Sequence, residues 1–256
     1  MSVSHCKTAV IVPTYNESEN LPDLVRTLLA LPLDLRIVVV DDHSPDGTGE
    51  IADRLSATTG RVTVIHRPRK LGLGTAYTAG FRHALDMNMD YIVTMDADFS
   101  HDPRYIPALA ESAASYDVVV GSRYVPGGGV QLWGWERRLM SWGANTLARL
   151  ALGLRTHDCT AGFRCYRREV LAAIGLDQVK ADGYSYLIEM LFRCERRGFR
   201  IGEVPIIFVD RRAGASKISR QEILKAGWTI LRLLKHRIYA SPTLALANVI
   251  GPRRGG

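Results

Sequence analysis

The sequence predicts an α/β fold built on a mostly parallel, doubly wound sheet, and three observations carry that reading. Short β-branched runs alternate with segments of helical periodicity, the spacing between runs suits right-handed crossovers, and run after run stops abruptly in polar or acidic residues. Ligands of such sheets bind beyond the carboxyl ends of the strands, so these stops mark where a site is expected. With 256 residues and 46% hydrophobic content the chain can bury one good core, and one globular domain is expected.

Ala9 to Pro13 (AVIVP) reads as the first strand, followed by a polar loop through Tyr15 and Glu17 and a helix over Asn20 to Leu31. Leu35 to Val40 repeats the arrangement and ends in Asp41 and Asp42. Ser44, Pro45, Asp46 and Gly47 then turn into a helix around Gly49 to Leu55. A strand at Val62 to Ile65 and a helix at Thr75 to Met87 follow. Between them, Leu71 to Ala76 (LGLGTA) lacks both the third glycine of a dinucleotide fingerprint and the Gly-Lys-Ser/Thr of a P-loop. Its glycines are expected to let the backbone approach a neighbouring strand or a ligand.

Tyr91 to Met95 is the next buried strand and ends in Asp96, Ala97 and Asp98. Side chains two apart in an extended segment point the same way, so the two carboxylates can converge on a hard divalent cation, Mg²⁺ or Mn²⁺. Taken alone, Asp98 and Ser100 read more readily as caps for the helix beginning near Pro103 than as metal ligands. Three polar clusters at one sheet edge, at Tyr15/Glu17, Asp41/Asp42 and Asp96/Asp98, favour a site.

Asp117 to Gly121 is a further strand, and Pro126 to Trp135, with three consecutive glycines and two tryptophans, reads as a lid or acceptor-facing loop. Arg137 and Arg138 start the helix Glu136 to Leu152, where cations oppose the helix dipole; an anionic ligand or a surface salt bridge accounts for them. Beyond Gly153 the pattern is less regular: Asp158 to Tyr166, a helix near Tyr184 to Arg197 and a strand over Ile201 to Val209. Asp210 to Lys217 (DRRAGASK) suits phosphate. Ser219 to Glu222 reads as a capping box opening an amphipathic helix to about Ile238. Residues 1–218 are expected to form the catalytic unit, with 219–256 supplying this helix and a short tail.

Charge is unevenly spread. From Met190 onward there are 14 basic and 4 acidic residues, against 19 and 22 before it, so the C-terminal part is expected to meet something anionic. Nucleic acid is disfavoured, because no basic helix carries base-reading residues and the aromatics are not spaced as stacking platforms. Cys6, Cys159, Cys165 and Cys194 fit neither a metal pattern nor a disulfide framework, which favours a reducing, cytosolic setting. No signal-like stretch and no run of spanning length is present, so a soluble or peripheral protein is expected.

The motifs PTYNE (Pro13 to Glu17), VDDHSPDGT (Val40 to Thr48), DADFSH (Asp96 to His101), GSRYVPGG (Gly121 to Gly128), DCTAGFRCY (Asp158 to Tyr166) and R-x-x-G-x-S-K resemble, in order, those of polyprenol (dolichyl) phosphate mannose synthases. The resemblance covers roughly Val10 to Ile238. It implies a Rossmann-like GT-A glycosyltransferase fold, an inverting reaction, GDP-mannose as donor and a polyprenyl monophosphate as acceptor. It places Pro13, Tyr15 and Glu17 around the nucleoside, with Val40 and Asp42 completing the base pocket. Asp96, Ala97 and Asp98 would line ribose and diphosphate, with Asp98 the principal metal ligand and Asp96 and Ser100 beside it. Arg123, Arg137, Arg211 and Lys217 correspond to cations that hold the donor diphosphate or the acceptor phosphate. The chain departs from some relatives in having Ser100 for Gln and Ala215 for Glu, and in lacking C-terminal membrane helices. Attachment to the cytosolic face of a membrane is then expected through the Ser219 helix, the tryptophan loop or an integral membrane partner. The same fold with another donor, such as UDP-glucose, is the nearest rival, and a non-catalytic nucleotide-sugar-binding protein a remoter one.

Overall fold

The computed structural model describes residues 6–210 and 220–239. A seven-stranded sheet has the order β3-β2-β1-β4-β7-β5-β8, from β1 (Thr8–Thr14), β2 (Leu35–Asp41), β3 (Val62–His66), β4 (Tyr91–Thr94), β5 (Val118–Ser122), β7 (Arg164–Arg167) and β8 (Ile201–Pro205). β7 alone runs antiparallel to its neighbours β4 and β5. A separate parallel pair joins β6 (Gly129–Gln131) to β9 (Ile207–Val209).

Successive side chains of a strand face opposite ways, and the sheet is buried on both sides. Val10, Val12, Ile37 and Val39 join Leu21, Leu24 and Leu28 of α1 (Leu21–Leu29) and Ile106 and Leu109 of α4 (Ile106–Ser112) in one layer. Ala9, Ile11, Val38 and Val40 pack in the other layer with Tyr77 and Phe81 of α3 (Leu73–Asp86) and Leu187 and Met190 of α7 (Tyr184–Arg196). α2 (Thr48–Thr59) links β2 to β3, and α6 (Arg168–Ala173) follows β7. A third cluster gathers Val120, Ala148 and Leu152 of α5 (Trp135–Leu152), Leu191 of α7 and Ile230 and Leu233 of α8 (Arg220–Tyr239).

Four local expectations change. Asp158 to Tyr166, read as irregular, leads into β7, whose Arg-Cys-Tyr-Arg composition has no β-branched run to announce it. Its Arg164 is fully buried and donates to the Leu187 and Cys159 carbonyls. The single strand expected over Ile201 to Val209 is two, because Ile206 N turns to Ser122 O and β9 leaves to pair with β6. That pairing also ties down the middle of the tryptophan loop: Trp133 is buried on Phe208 while Trp135 is exposed. The glycine-rich loop packs on the 182–186 segment rather than on a neighbouring strand. Gly72, at φ +96°, sits against the Asp182 carboxylate, and Gly74 packs on Tyr186 and donates to Asp182 Oδ1 (3.1 Å). Ser219, and with it the capping box, lies outside the described residues.

Candidate active site

Beyond the carboxyl edge of the sheet lies a cavity of about 710 Å³ with two unlike sides. The polar side comes from strand ends: Pro13 near the end of β1 and Glu17 after it, Asp96, Ala97, Asp98 and Ser100 after β4, and Arg123 after β5, with Arg137 from the first turn of α5. The apolar side comes from three helices: Met140, Gly143, Ala144 and Leu147 of α5, Leu187 and Ile188 of α7, and Ala226, Gly227 and Ile230 of α8. α8, expected as a candidate membrane anchor, is therefore part of the cavity wall. Buried Glu189 of α7 holds it there through an ion pair with Arg232, and also pairs with Arg193 (2.8 Å).

Asp98 Oδ1 accepts the Ser100 amide (3.1 Å), and buried Ser100 Oγ has no hydrogen-bond partner among the described residues. The cap of the following turn is instead Asp102, which accepts Arg104 N (2.9 Å). No group of three or more His, Cys, Asp or Glu suited to a metal occurs among the described residues. Two carboxylates and an unsatisfied hydroxyl nevertheless fit a hard divalent cation that completes its shell with substrate phosphate and water, as Mg²⁺ commonly does. His101, which sequence reasoning quoted without giving it a role, lines the same wall; it is buried, and Asp96 N donates to its Nδ1 (3.1 Å). Burial pushes its imidazole below the ordinary value, against the opposing pull of Asp96 and Asp98.

Arg123 is clamped rather than loose. Its Nε and Nη2 donate to the two oxygens of Asp158, both at 2.7 Å, and Nη2 also reaches Thr160 (2.9 Å). Burial alone would raise the Asp158 carboxyl, but the Arg123 charge and hydrogen bonds outweigh it and hold it below the usual range. A pKa lowered on folding contributes stability at neutral pH that is lost only as pH falls through the depressed value, so this pair stays charged across the physiological range. Arg137, for which an anionic ligand was one explanation, pairs with Asp210 and lies over Trp133, 4.3 Å from the ring centroid. Asp210 directly precedes the basic loop; Arg211 and Lys217 lie outside the described residues.

Three other expected residues do not line the cavity. Tyr15 is partly exposed under Lys70, whose Nζ lies 3.7 Å from the ring centroid, and Val40 is core. Asp42 is buried, paired with Arg67 (2.5 Å) and accepting the Leu71 and Gly72 amides (3.2 Å each). Arg67, two positions beyond the apolar run of β3, was absent from the sequence reading. Asp42→Asn leaves the Arg67 charge buried without its counter-ion, so a stability loss of about 3 kcal/mol is expected. On the base-pocket role that the resemblance implies for Asp42, weaker GDP binding is expected with it, while turnover at saturation changes less. Thermal unfolding and GDP titration check both; an unchanged GDP affinity removes Asp42 from the donor side.

Residues 9–175 match glycosyl transferase family 2. A polyprenol monophosphomannose synthase of Mycolicibacterium smegmatis is 48% identical over 222 residues, 86% of this chain and 84% of that protein. Among solved structures, glucosyl-3-phosphoglycerate synthase of Mycobacterium tuberculosis, in complex with Mn²⁺, UDP and glucosyl-3-phosphoglycerate, superposes with a TM-score of 0.64 at 19% identity, covering 90% of this chain and 81% of that one. A Pyrobaculum calidifontis mannosyltransferase in complex with GDP-Man and Mn²⁺ gives a TM-score of 0.56 at 18% identity, covering 90% and 64%.

Proposed function

Since the chain belongs to glycosyl transferase family 2 and has the GT-A fold, we propose that it transfers mannose from GDP-mannose to the phosphate of a polyprenyl monophosphate, with inversion. The observation that carries this reading is the two-sided cavity: carboxylates and clamped cations on one side, a helix-lined apolar surface on the other. An acceptor with a phosphate head and a hydrocarbon tail matches both sides at once, whereas a wholly polar acceptor would leave the apolar side wet. The mannose and polyprenol in the name of the mycobacterial relative agree with it.

Asp96, Asp98 and Ser100 would hold Mg²⁺ or Mn²⁺, which neutralises the departing diphosphate. The acceptor phosphate needs no general base, since a monoester with a second pKa of about 6 is largely dianionic near pH 7. One of its oxygens attacks the anomeric carbon as the bond to GDP breaks, and a single displacement turns the α-linked donor into a β-linked product. The work left to the protein is to bring two anions together in line. Arg123, fixed by Asp158, presents its guanidinium with little entropy left to lose, and Arg137 stands at the junction of the two sides. Arg211 and Lys217 are proposed to serve the acceptor phosphate. Exposed Trp135, Leu139 and Trp142 of α5 and Trp228 and Leu231 of α8 are proposed to seat the protein on the cytosolic face of a membrane, where the lipid tail lies.

The test uses Gly227, where an added Cβ meets nothing within 4 Å. Gly227→Leu puts a better helix former in α8 and fills the apolar side. It is expected to raise the KM for a polyprenyl phosphate about tenfold or more while leaving GDP affinity unchanged. Unchanged lipid kinetics would count against an acceptor tail in this cavity. A donor panel that includes UDP-glucose decides the sugar nucleotide, and transfer from UDP-glucose alone would overturn the GDP-mannose assignment.

A further inference from the structure

The last ladder bond of β4 on its β1 side is Met95 N to Ile11 O (3.2 Å), and pairing with β7 stops at Thr94 opposite Arg164. The next amide, Asp96 N, begins the acidic segment where no strand continues beside it. A buried amide at such a point needs an acceptor. It finds one five residues ahead, in His101 Nδ1 at 3.1 Å. The chain can return so soon because Phe99 takes φ +59°, a left-handed conformation uncommon for a bulky side chain.

A backbone N–H can only donate, so Nδ1 is the unprotonated nitrogen. The ring is held from both directions, stacked on Phe163 (centroids 5.1 Å) and edge-on to Phe208 (5.4 Å). Phe208 belongs to β9, which hangs on the same segment through Val209 N to Ser100 O (3.4 Å) and Ile207 N to Tyr105 Oη (3.1 Å). Asp96 to Ser100 is thus a short loop closed by one side chain and packed against the strand that leads to Asp210.

We propose that His101 is a positioning residue for the cation-holding carboxylates: by accepting the Asp96 amide it fixes the curl that sets Asp96, Asp98 and Ser100 on one wall. Its role is served by an acceptor at the δ position rather than by the ring as such. This rests on the reading of that segment as the metal and diphosphate site.

GDP binding by the full chain, measured by titration calorimetry in EDTA and across a Mn²⁺ series, separates the two. His101→Phe keeps a stacking ring without the acceptor, and His101→Gln moves its amide to the ε position. Both are expected to raise the Mn²⁺ concentration for half-maximal enhancement of GDP binding about tenfold, with affinity in EDTA unchanged. His101→Asn places an amide oxygen at the δ position and should return to within about threefold of wild type. If His101→Phe fails to fold, Asn against Gln decides. Wild-type Mn²⁺ dependence in His101→Phe or His101→Gln, or an Asn variant as impaired as the Gln variant, overturns the positioning role. A wild-type protein whose GDP affinity ignores Mn²⁺ overturns the reading of the site itself.

Discussion

Asp98→Ala is expected to lower mannosyl transfer about a thousandfold while the protein stays folded. Asp98 stands on the polar wall just past the end of β4, and its carboxylate also braces the Ser100 amide. On the proposed reading, its removal would take away the cation's principal anchor and leave the charge of the departing diphosphate unmet. The local cost is small by comparison, since one amide loses a carboxylate partner in a half-buried turn, worth roughly 1 kcal/mol. The loss should therefore appear in turnover and in the Mn²⁺ dependence of GDP binding, with little change in thermal unfolding. Wild-type turnover of this variant in Mg²⁺ or Mn²⁺ would falsify the metal assignment.

The acidic pair was legible because it ends a buried β-branched strand, and a sheet of this handedness delivers all such ends to one edge. The same logic located the first five parallel strands from Thr8 to Ser122 within a residue or so. It could not find β7, which enters the sheet antiparallel with a buried arginine where a β-branched residue would be expected. Nor could it tell which cations touch a ligand. Arg123 and Arg137 carry identical charges in the sequence, yet Asp158, 35 positions on, and Asp210, 73 positions on, decide how each is held. Asp42 illustrates the opposite limit: its place at the edge was predictable, but its use as the counter-ion of Arg67 depends on a loop that folds back from β3. Periodicity in α8 was equally silent on whether its apolar stripe meets protein or lipid. The structure divides that helix, with Ile230 and Leu233 in the core and Trp228 and Leu231 outside.

That division moves the expected membrane contact towards α5. Trp135, Leu139 and Trp142 follow one another at intervals of four and three residues, so they share a face of the helix, and all three are more than half exposed. Met140 and Leu147 both line the cavity and remain exposed, which makes the cavity mouth continuous with this apolar surface. Tryptophan is well suited to an interfacial seat, and no helix among the described residues is long and apolar enough to cross a bilayer. Truncating the chain before α8 would strip the cavity wall, so the informative variant leaves α8 in place. Each side chain contributes on the order of 1.5–3 kcal/mol when taken out of water, and part of that is realised at a membrane interface. The triple variant Trp135→Ala, Leu139→Ala, Trp142→Ala is therefore expected to bind anionic vesicles about a hundredfold more weakly at low salt, with GDP affinity intact. Basic side chains such as Lys235 on α8 would add a salt-sensitive part that survives the triple variant and disappears as ionic strength rises. Vesicle co-sedimentation in which the triple variant pellets like the wild type would remove α5 from the membrane contact and leave the seat to α8 or to a protein partner.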